Sequence, residues 1–277
     1  MASKVWFITG TSKGFGRIWA EAALARGDRV AATARNVESL KGLVDKHGAN
    51  VLPLALDVTD QAAVERTVKR AHEHFGRLDV VINNAGYGLF GTIEELSAQQ
   101  ARDQMETNFF GALWVTKAAL PILRAQGAGH IIQVSSIGGV NAFPTLGLYH
   151  ASKWALEGFS QSLAAEVADF GIKVTLVEPT GYETDWSSAS SVQAAKLPAY
   201  AGLRAKLAQY FGVIRRGPRG KPEATGPAIL KVVDAEKPPL RIFFGSGPFE
   251  MIKDEYAQRL RTWEEWQELS TAAHGKA

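Results

Sequence analysis

The chain has 277 residues, 46% hydrophobic and 21% charged, which is enough apolar material for one sizeable core and unlike the composition of a disordered polymer. Lys and Arg exceed Asp and Glu by only three and no run of five like charges occurs, so nucleic acid is not an expected partner. The absence of cysteine excludes disulfides, thiolate metal sites and thiol nucleophiles together, and fits a reducing, cytoplasmic address.

In chain order, the apolar run at 5–8 lies so close to Met1 that no room is left for a charged leader and a cleavage site. No apolar run reaches bilayer length, so no membrane partner is expected. Short β-branched runs at 5–9, 29–33, 51–56, 78–83, 129–135, 172–178 and 240–244 predict strands, with helical periodicity between them. That alternation predicts βαβ units in a doubly wound α/β fold, because parallel strands need a crossover that a helix supplies. The rhythm breaks at 186–222, read as a Ser/Ala-rich loop, a helix over about 192–211 and a Gly/Pro/Arg-rich turn over 212–222. This is an insertion rather than a boundary, so one domain over 1–277 is expected. A helical tail at about 248–270 places Trp263 and Trp266 on one face, expected to pack on the core or on a second subunit. The six histidines are scattered and read as solvated surface groups; no metal site is expected.

Directly after the first strand comes Thr9-Gly10-Thr11-Ser12-Lys13-Gly14-Phe15-Gly16, then a helix-forming run at 17–25. Glycines at a strand-to-helix turn permit a tight bend and let backbone N–H groups and a helix N-terminus approach a pyrophosphate. The second strand ends Ala32-Thr33-Ala34-Arg35, without the acid that binds a ribose 2′-hydroxyl. Arg35 and Lys13 would instead bind a 2′-phosphate, which points to NADP(H). Further on, Tyr149-His150-Ala151-Ser152-Lys153 opens a helical stretch and places Tyr149 and Lys153 on one face. A free phenol, with a pKa of about 10, needs a neighbouring cation to work near neutrality. Ser135 and Ser136 end the preceding strand, where ligands of open α/β sheets bind, and either hydroxyl suits a substrate oxygen.

With these motifs in this order, the sequence resembles the short-chain dehydrogenase/reductase family, in its compact one-domain branch, over nearly its whole length. The glycine turn at 9–16, Asp57, the Asn-Asn-Ala-Gly stretch at 83–86, Asn108, Ser136, Tyr149 and Lys153 carry the resemblance. It implies a Rossmann-type three-layer fold with a mainly parallel seven-stranded sheet, and an enzyme passing a hydride between NADP(H) and a carbonyl or secondary alcohol. The family's spacing selects Ser136 over Ser135 as the group holding the substrate oxygen. Tyr149 would be the general acid/base, Lys153 would bind the nicotinamide ribose and lower the phenol's pKa, and Asn108 would hold a water in a proton relay.

The resemblance further implies that Gly10, Thr11, Ser12, Lys13, Gly14, Phe15, Gly16 and Arg35 meet the phosphates, with Asp57 and Val58 at the adenine. Asn83, Ala85 and Gly86 would shape the adenosine-ribose side, and Pro179, Tyr182 and Thr184 the carboxamide side. Phe90, Ile137, Phe143 and Trp186 would join Ser136 and Tyr149 around an apolar ketone or aldehyde, beneath a lid at about 186–222. The family's Pro-Gly is Pro179-Thr180 here, with Gly181 expected to supply the missing backbone freedom. Pairing of long helices near 98–120 and 149–170 implies a homodimer or homotetramer. Alternative readings are a non-enzymatic NADP(H)-binding sensor and a nucleotide-sugar epimerase or dehydratase.

Overall fold

The computed structural model describes residues 3–188, 190–214 and 219–275. The first part alternates β1 (Val5–Ile8), α1 (Gly14–Ala25), β2 (Arg29–Ala34), α2 (Lys41–His47), β3 (Val51–Ala55), α3 (Gln61–Phe75) and β4 (Val80–Asn83). A two-residue strand, β5 (Leu89–Phe90), precedes α4 (Ala98–Met105), α5 (Gly111–Gln126), β6 (Gly129–Val134), α6 (Gly147–Val167) and β7 (Ile172–Pro179). The last part holds β8 (Val192–Gln193), α7 (Ala201–Ile214), α8 (Thr225–Asp234), β9 (Arg241–Phe244), α9 (Pro248–Glu265) and α10 (Gln267–Ala273). The seven expected strands are present, each within two residues of its sequence limits.

These seven form one sheet in the order β3-β2-β1-β4-β6-β7-β9, with every neighbouring pair parallel. The order reverses direction between β1 and β4, which opens a crevice at their C-terminal ends. Successive side chains of a strand point to opposite faces. Accordingly Phe7 packs with Leu54, Val81, Ile131 and Leu163 on one side, while Trp6 and Ile8 pack with Trp19, Ile82, Ile132 and Ile229 on the other. Both cores are continuous because the strands are apolar on both faces.

Several expectations are corrected. Residues 192–211 are not one helix: Val192 and Gln193 pair in parallel with Leu89 and Phe90, and α7 begins only at Ala201, after Pro198. Residues 189 and 215–218 of the expected lid and turn lie outside the described residues. The tail is helical, but it breaks at Trp266, and Trp263 and Trp266 are 66% and 59% exposed rather than packed on the core. Two of the six histidines, His130 and His150, are buried. Among the described residues, no helix is long and apolar enough to cross a membrane.

The helix that starts at the glycine turn is fixed by Trp19. Its ring stacks on Phe15 with centroids 5.5 Å apart, meets Phe244 edge-on at 6.3 Å, and donates its indole N–H to Thr225 Oγ1 at 2.8 Å. Thr225 in turn donates to the Pro222 carbonyl at 2.6 Å, so α1 and α8 share one bonded contact in the core. Trp19→Ala leaves a large cavity and the Thr225 hydroxyl without its donor, and is expected to lower stability by about 3–5 kcal/mol. Denaturant unfolding followed by circular dichroism measures this.

Candidate active site

The glycine turn begins where β1 ends. Gly10 and Gly14 take φ values of 69° and 60°, a left-handed conformation that disfavours side chains. A Cβ on Gly16 would collide with the Gly10 carbonyl, so the turn can close only around glycine. Thr11 anchors its outer edge, its N–H and hydroxyl both donating to the Thr33 carbonyl at 2.9 and 3.0 Å. No side chain caps the N-terminus of α1, and nothing lies within 4 Å of a Cβ built on Gly14, so free backbone donors face open space. That cradle suits a pyrophosphate. Arg35 is exposed just beyond β2, and Lys13, half exposed, lies 3.3 Å from Asp185 across the cleft. Asp57, also exposed, accepts from the N–H and hydroxyl of Thr59, and Val58 is buried against Gly111.

Two adjacent asparagines divide their work in a way the sequence left unseen. The Asn83 amide is directed away from the cleft, donating to the Ala112 carbonyl and Thr116 Oγ1 on α5 at 3.3 and 3.1 Å. That ties its side chain to α5. Asn84 holds the turn instead, donating to the carbonyls of Thr9 and Gly10 at 2.9 and 3.0 Å.

Asn108 sits in a π-helical turn, Glu106–Phe110, between α4 and α5. Its buried amide donates to the Tyr87 carbonyl and Ser152 Oγ and accepts from the Tyr87 N–H, at 3.0, 3.1 and 3.0 Å. Both amide hydrogens are thus spent on bracing the loop after β4 against α6. Ser152, which had no assigned role, donates to the Tyr149 carbonyl at 2.7 Å and links Asn108 to the helix of the phenol.

Tyr149 and Lys153 lie one turn apart on α6, 5% and 6% exposed. Burial pushes the phenol up to about 12, opposed by its hydrogen bond with the Ser136 hydroxyl. Burial likewise pushes the Lys153 ammonium down to about 8, opposed by the charge of Glu157. Lys153 Nζ donates to the Val134 carbonyl at 2.7 Å and lies 5.9 Å from the centre of the Tyr149 ring. Ser136 Oγ accepts from the Gly138 N–H at 3.0 Å, so the hydroxyl proton remains available for another oxygen.

Apolar groups close over this centre. The Trp186 indole lies 4.9 Å from the Tyr149 ring and 5.6 Å from Phe90, and Gly88 makes room for it, since a Cβ there would come within 2.7 Å of the indole. The segment beyond Trp186 is fastened by Glu95, whose carboxylate accepts from the Leu197 N–H at 2.7 Å and from Arg204 at 2.5 Å. His150 braces the loop that carries Ile137 and Phe143. Its Nε2 accepts from the Phe143 N–H at 2.9 Å, which leaves Nδ1 to donate to the Gly138 carbonyl at 2.9 Å, a neutral ring. Burial lowers its pKa in agreement. On the opposite wall, Thr180 donates its N–H to the Phe244 carbonyl at 2.9 Å. The backbone freedom there comes from Gly245, with φ 115°, and not from Gly181, which takes no positive φ. Tyr182 meets Phe15 of the glycine turn edge-on at 5.0 Å.

The family model of short chain dehydrogenases matches residues 4–195. An oxidoreductase of Botryotinia fuckeliana is 44% identical over 272 residues, covering 98% of this chain and 99% of the relative. A short-chain dehydrogenase from Streptomyces avermitilis is similar in structure with a TM-score of 0.89 at 36% identity, covering 98% of both chains. An alcohol dehydrogenase from Thermococcus sibiricus, solved in complex with 5-hydroxy-NADP, has a TM-score of 0.73 at 26% identity, covering 88% of this chain and 96% of that one.

The His150 brace gives this site its own test. His150→Leu removes both bonds to the 137–143 loop while α6 remains intact, so exchange of the Phe143 amide hydrogen is expected to accelerate at least about tenfold with little change in the sheet amides. Hydrogen–deuterium exchange read by mass spectrometry or NMR checks it.

Proposed function

The chain belongs to the short-chain dehydrogenase/reductase family and is an oxidoreductase, and on that premise we propose that it reduces an apolar ketone or aldehyde with NADPH, Tyr149 delivering the proton. The observation that carries the reading is the buried Tyr149 phenol, hydrogen-bonded to Ser136 and backed by Lys153 at the C-terminal ends of the strands. The dinucleotide, when bound, supplies the hydride. Gly10 to Gly16 would hold its pyrophosphate, and Arg35 with Lys13 its 2′-phosphate. Asp57, Val58, Asn83, Ala85 and Gly86 would border the adenosine, and Pro179, Tyr182 and Thr184 the carboxamide.

Ser136 donates its hydroxyl proton to the substrate carbonyl oxygen and so fixes it beside the phenol. With the phenol pushed up to about 12, Tyr149 rests protonated and is ready to donate a proton to a substrate carbonyl. Lys153 stabilises the phenolate left after transfer, and Asn108 keeps the loop and α6 in register rather than binding the relay water through its side-chain amide. Phe90, Ile137, Phe143 and Trp186 exclude water and offer almost no charge, so apolar substrates are favoured and an unpaired anion is penalised. Trp186 lies on the phenol, and substrate reaches Tyr149 when the 186–222 lid lifts it away. The enzyme would work in the cytoplasm as a homodimer or homotetramer. Gly158 and Ala165 are exposed on α6 and leave room for a neighbouring helix, whereas Gly111, Ala112 and Ala119 face the chain's own core.

For the cofactor, the absence of an acid at the end of β2, where Arg35 follows directly, is the first support, and the Thermococcus sibiricus complex with an NADP derivative is the second. The exposed Lys13–Asp185 pair is of a kind worth about 0–1 kcal/mol, so a phosphate would readily take its place. NADPH is expected to bind at least about tenfold tighter than NADH, a preference that an Arg35→Ala, Lys13→Ala double variant loses. Titration calorimetry with the two cofactors measures it, and equal affinities refute the assignment. Tyr149→Phe is expected to lower turnover at least about a hundredfold with NADPH affinity nearly unchanged. NADPH oxidation over a panel of ketones, aldehydes, quinones and steroids tests this, and near-normal turnover of the variant ends the mechanism.

A further inference from the structure

One turn beyond Lys153, α6 carries a further buried ionisable side chain, Glu157, 7% exposed. It meets Glu178 near the end of β7, 2% exposed, and Arg241 at the start of β9. Arg241 Nε donates to Glu157 Oε2 at 2.9 Å and lies 3.7 Å from Glu178 Oε1, while its Nη2 donates to Gln161 at 2.9 Å. Glu157 Oε1, Glu178 Oε1 and Ser135 Oγ are buried together, with Glu157 hydrogen-bonded to the Ser135 hydroxyl and to Glu178. Gly139 seals the cluster: a Cβ there would come within 2.5 Å of Ser135 Oγ and 3.1 Å of Glu157 Oε1. The charged groups facing one another are therefore Lys153 and Glu157 on α6, Glu178 on β7 and Arg241 on β9, with Ser135 and Gln161 as neutral polar neighbours.

Two carboxylates face each other as acceptors only, and a hydrogen bond between them requires a proton. One guanidinium, which is partly exposed and bonded to Glu157, does not satisfy Glu178 as well. We propose that Glu157 and Glu178 share one proton, and that the single negative charge left on the pair keeps the Lys153 ammonium charged, making Glu157 a positioning residue for the Tyr149–Lys153 pair. This inference rests on the acid–base reading above. The proton resides on Glu178, which burial and then Glu157 push up to about 8. Glu157 carries the charge, against Arg241. A cation gains proton affinity from a nearby anion, so removing that anion lets Lys153 lose its proton at lower pH.

Lysine side-chain ¹⁵N NMR of the full chain reads this directly, the Lys153 signal being assigned by its loss in Lys153→Met. In Glu157→Gln the proton affinity of Lys153 is expected to fall at least about tenfold, moving its titration midpoint down by about one pH unit. A midpoint unchanged in a folded variant overturns the proposal. Infrared spectroscopy provides a second measurement that does not need that variant to fold: the wild-type protein at neutral pH shows a protonated-carboxyl stretch that Glu178→Gln abolishes. Absence of the band from the wild type, or its survival in Glu178→Gln, overturns the shared proton. Neither readout requires turnover, so an active Tyr149→Phe sinks the acid–base reading alone, whereas an inactive one beside an unmoved Lys153 midpoint sinks only the role of Glu157.

Discussion

The cleft depends on a seam between the ends of β1 and β4, where the sheet order reverses and two parallel neighbours must feed helices on opposite faces. Thr9 Oγ1 accepts the N–H groups of Asn84 and Ala85 at 2.9 and 3.0 Å, and the Asn84 amide returns two bonds to the Thr9 and Gly10 carbonyls. These four bonds satisfy backbone groups that the diverging strands can no longer pair with one another. They also press the glycine turn against the loop after β4, so the crevice has a fixed width. A Cβ on Gly10 would lie 3.1 Å from the Ala85 Cα, which shows how little tolerance the seam has.

From the seam outward, the site is organised by exclusion of water, and that has opposing effects. Burial favours the protonated phenol of Tyr149 and the neutral amine of Lys153, whereas phenolate stabilisation needs the ammonium. Fixed partners oppose the drift: Ser136 at the phenol, the Val134 carbonyl and the acid at 157 near the amine. The proposed lid would face a similar balance, since it would have to keep the site dry yet admit a ligand. Its base is firmly held. The Thr92 N–H, together with Leu197 and Arg204 and against burial, holds Glu95 down to about 2, so this anchor stays ionised through the neutral range.

The strands were legible because each is a run of β-branched and apolar residues buried on both faces, a pattern that survives without knowledge of neighbours. The glycine turn and the Tyr149–Lys153 pair could be read from spacing, since a strand-to-helix turn and a single helical turn are local features, whereas Ser136 was singled out from Ser135 only by the family resemblance. What escaped depends on contacts between distant segments. Strands β5 and β8 are two residues long and carry no period. Asn83 and Asn84 follow each other at a strand end, and only the position of α5 decides which amide enters the cleft. His130 and His150 are polar residues whose burial relies on partners elsewhere, Thr175 for one and the Gly138 carbonyl with the Phe143 N–H for the other. Arg241 and Glu178 could not be joined to Glu157 without knowing that β9 lies beside β7.

The threonine at position 180, where the family has glycine, sits against Gly245, and a Cβ at 245 would overlap its hydroxyl. The same hydroxyl donates to the Phe244 carbonyl at 3.3 Å. The two positions are therefore coupled: with threonine placed as it is at 180, there is no room for a Cβ at 245. Restoring glycine at 180 reopens the space next to 245, though the φ of 115° there still favours glycine. Chimeras that exchange the β7 and β9 ends between relatives must therefore move 180 and 245 together, or the junction of the two strand ends will inherit a clash that neither parent contains.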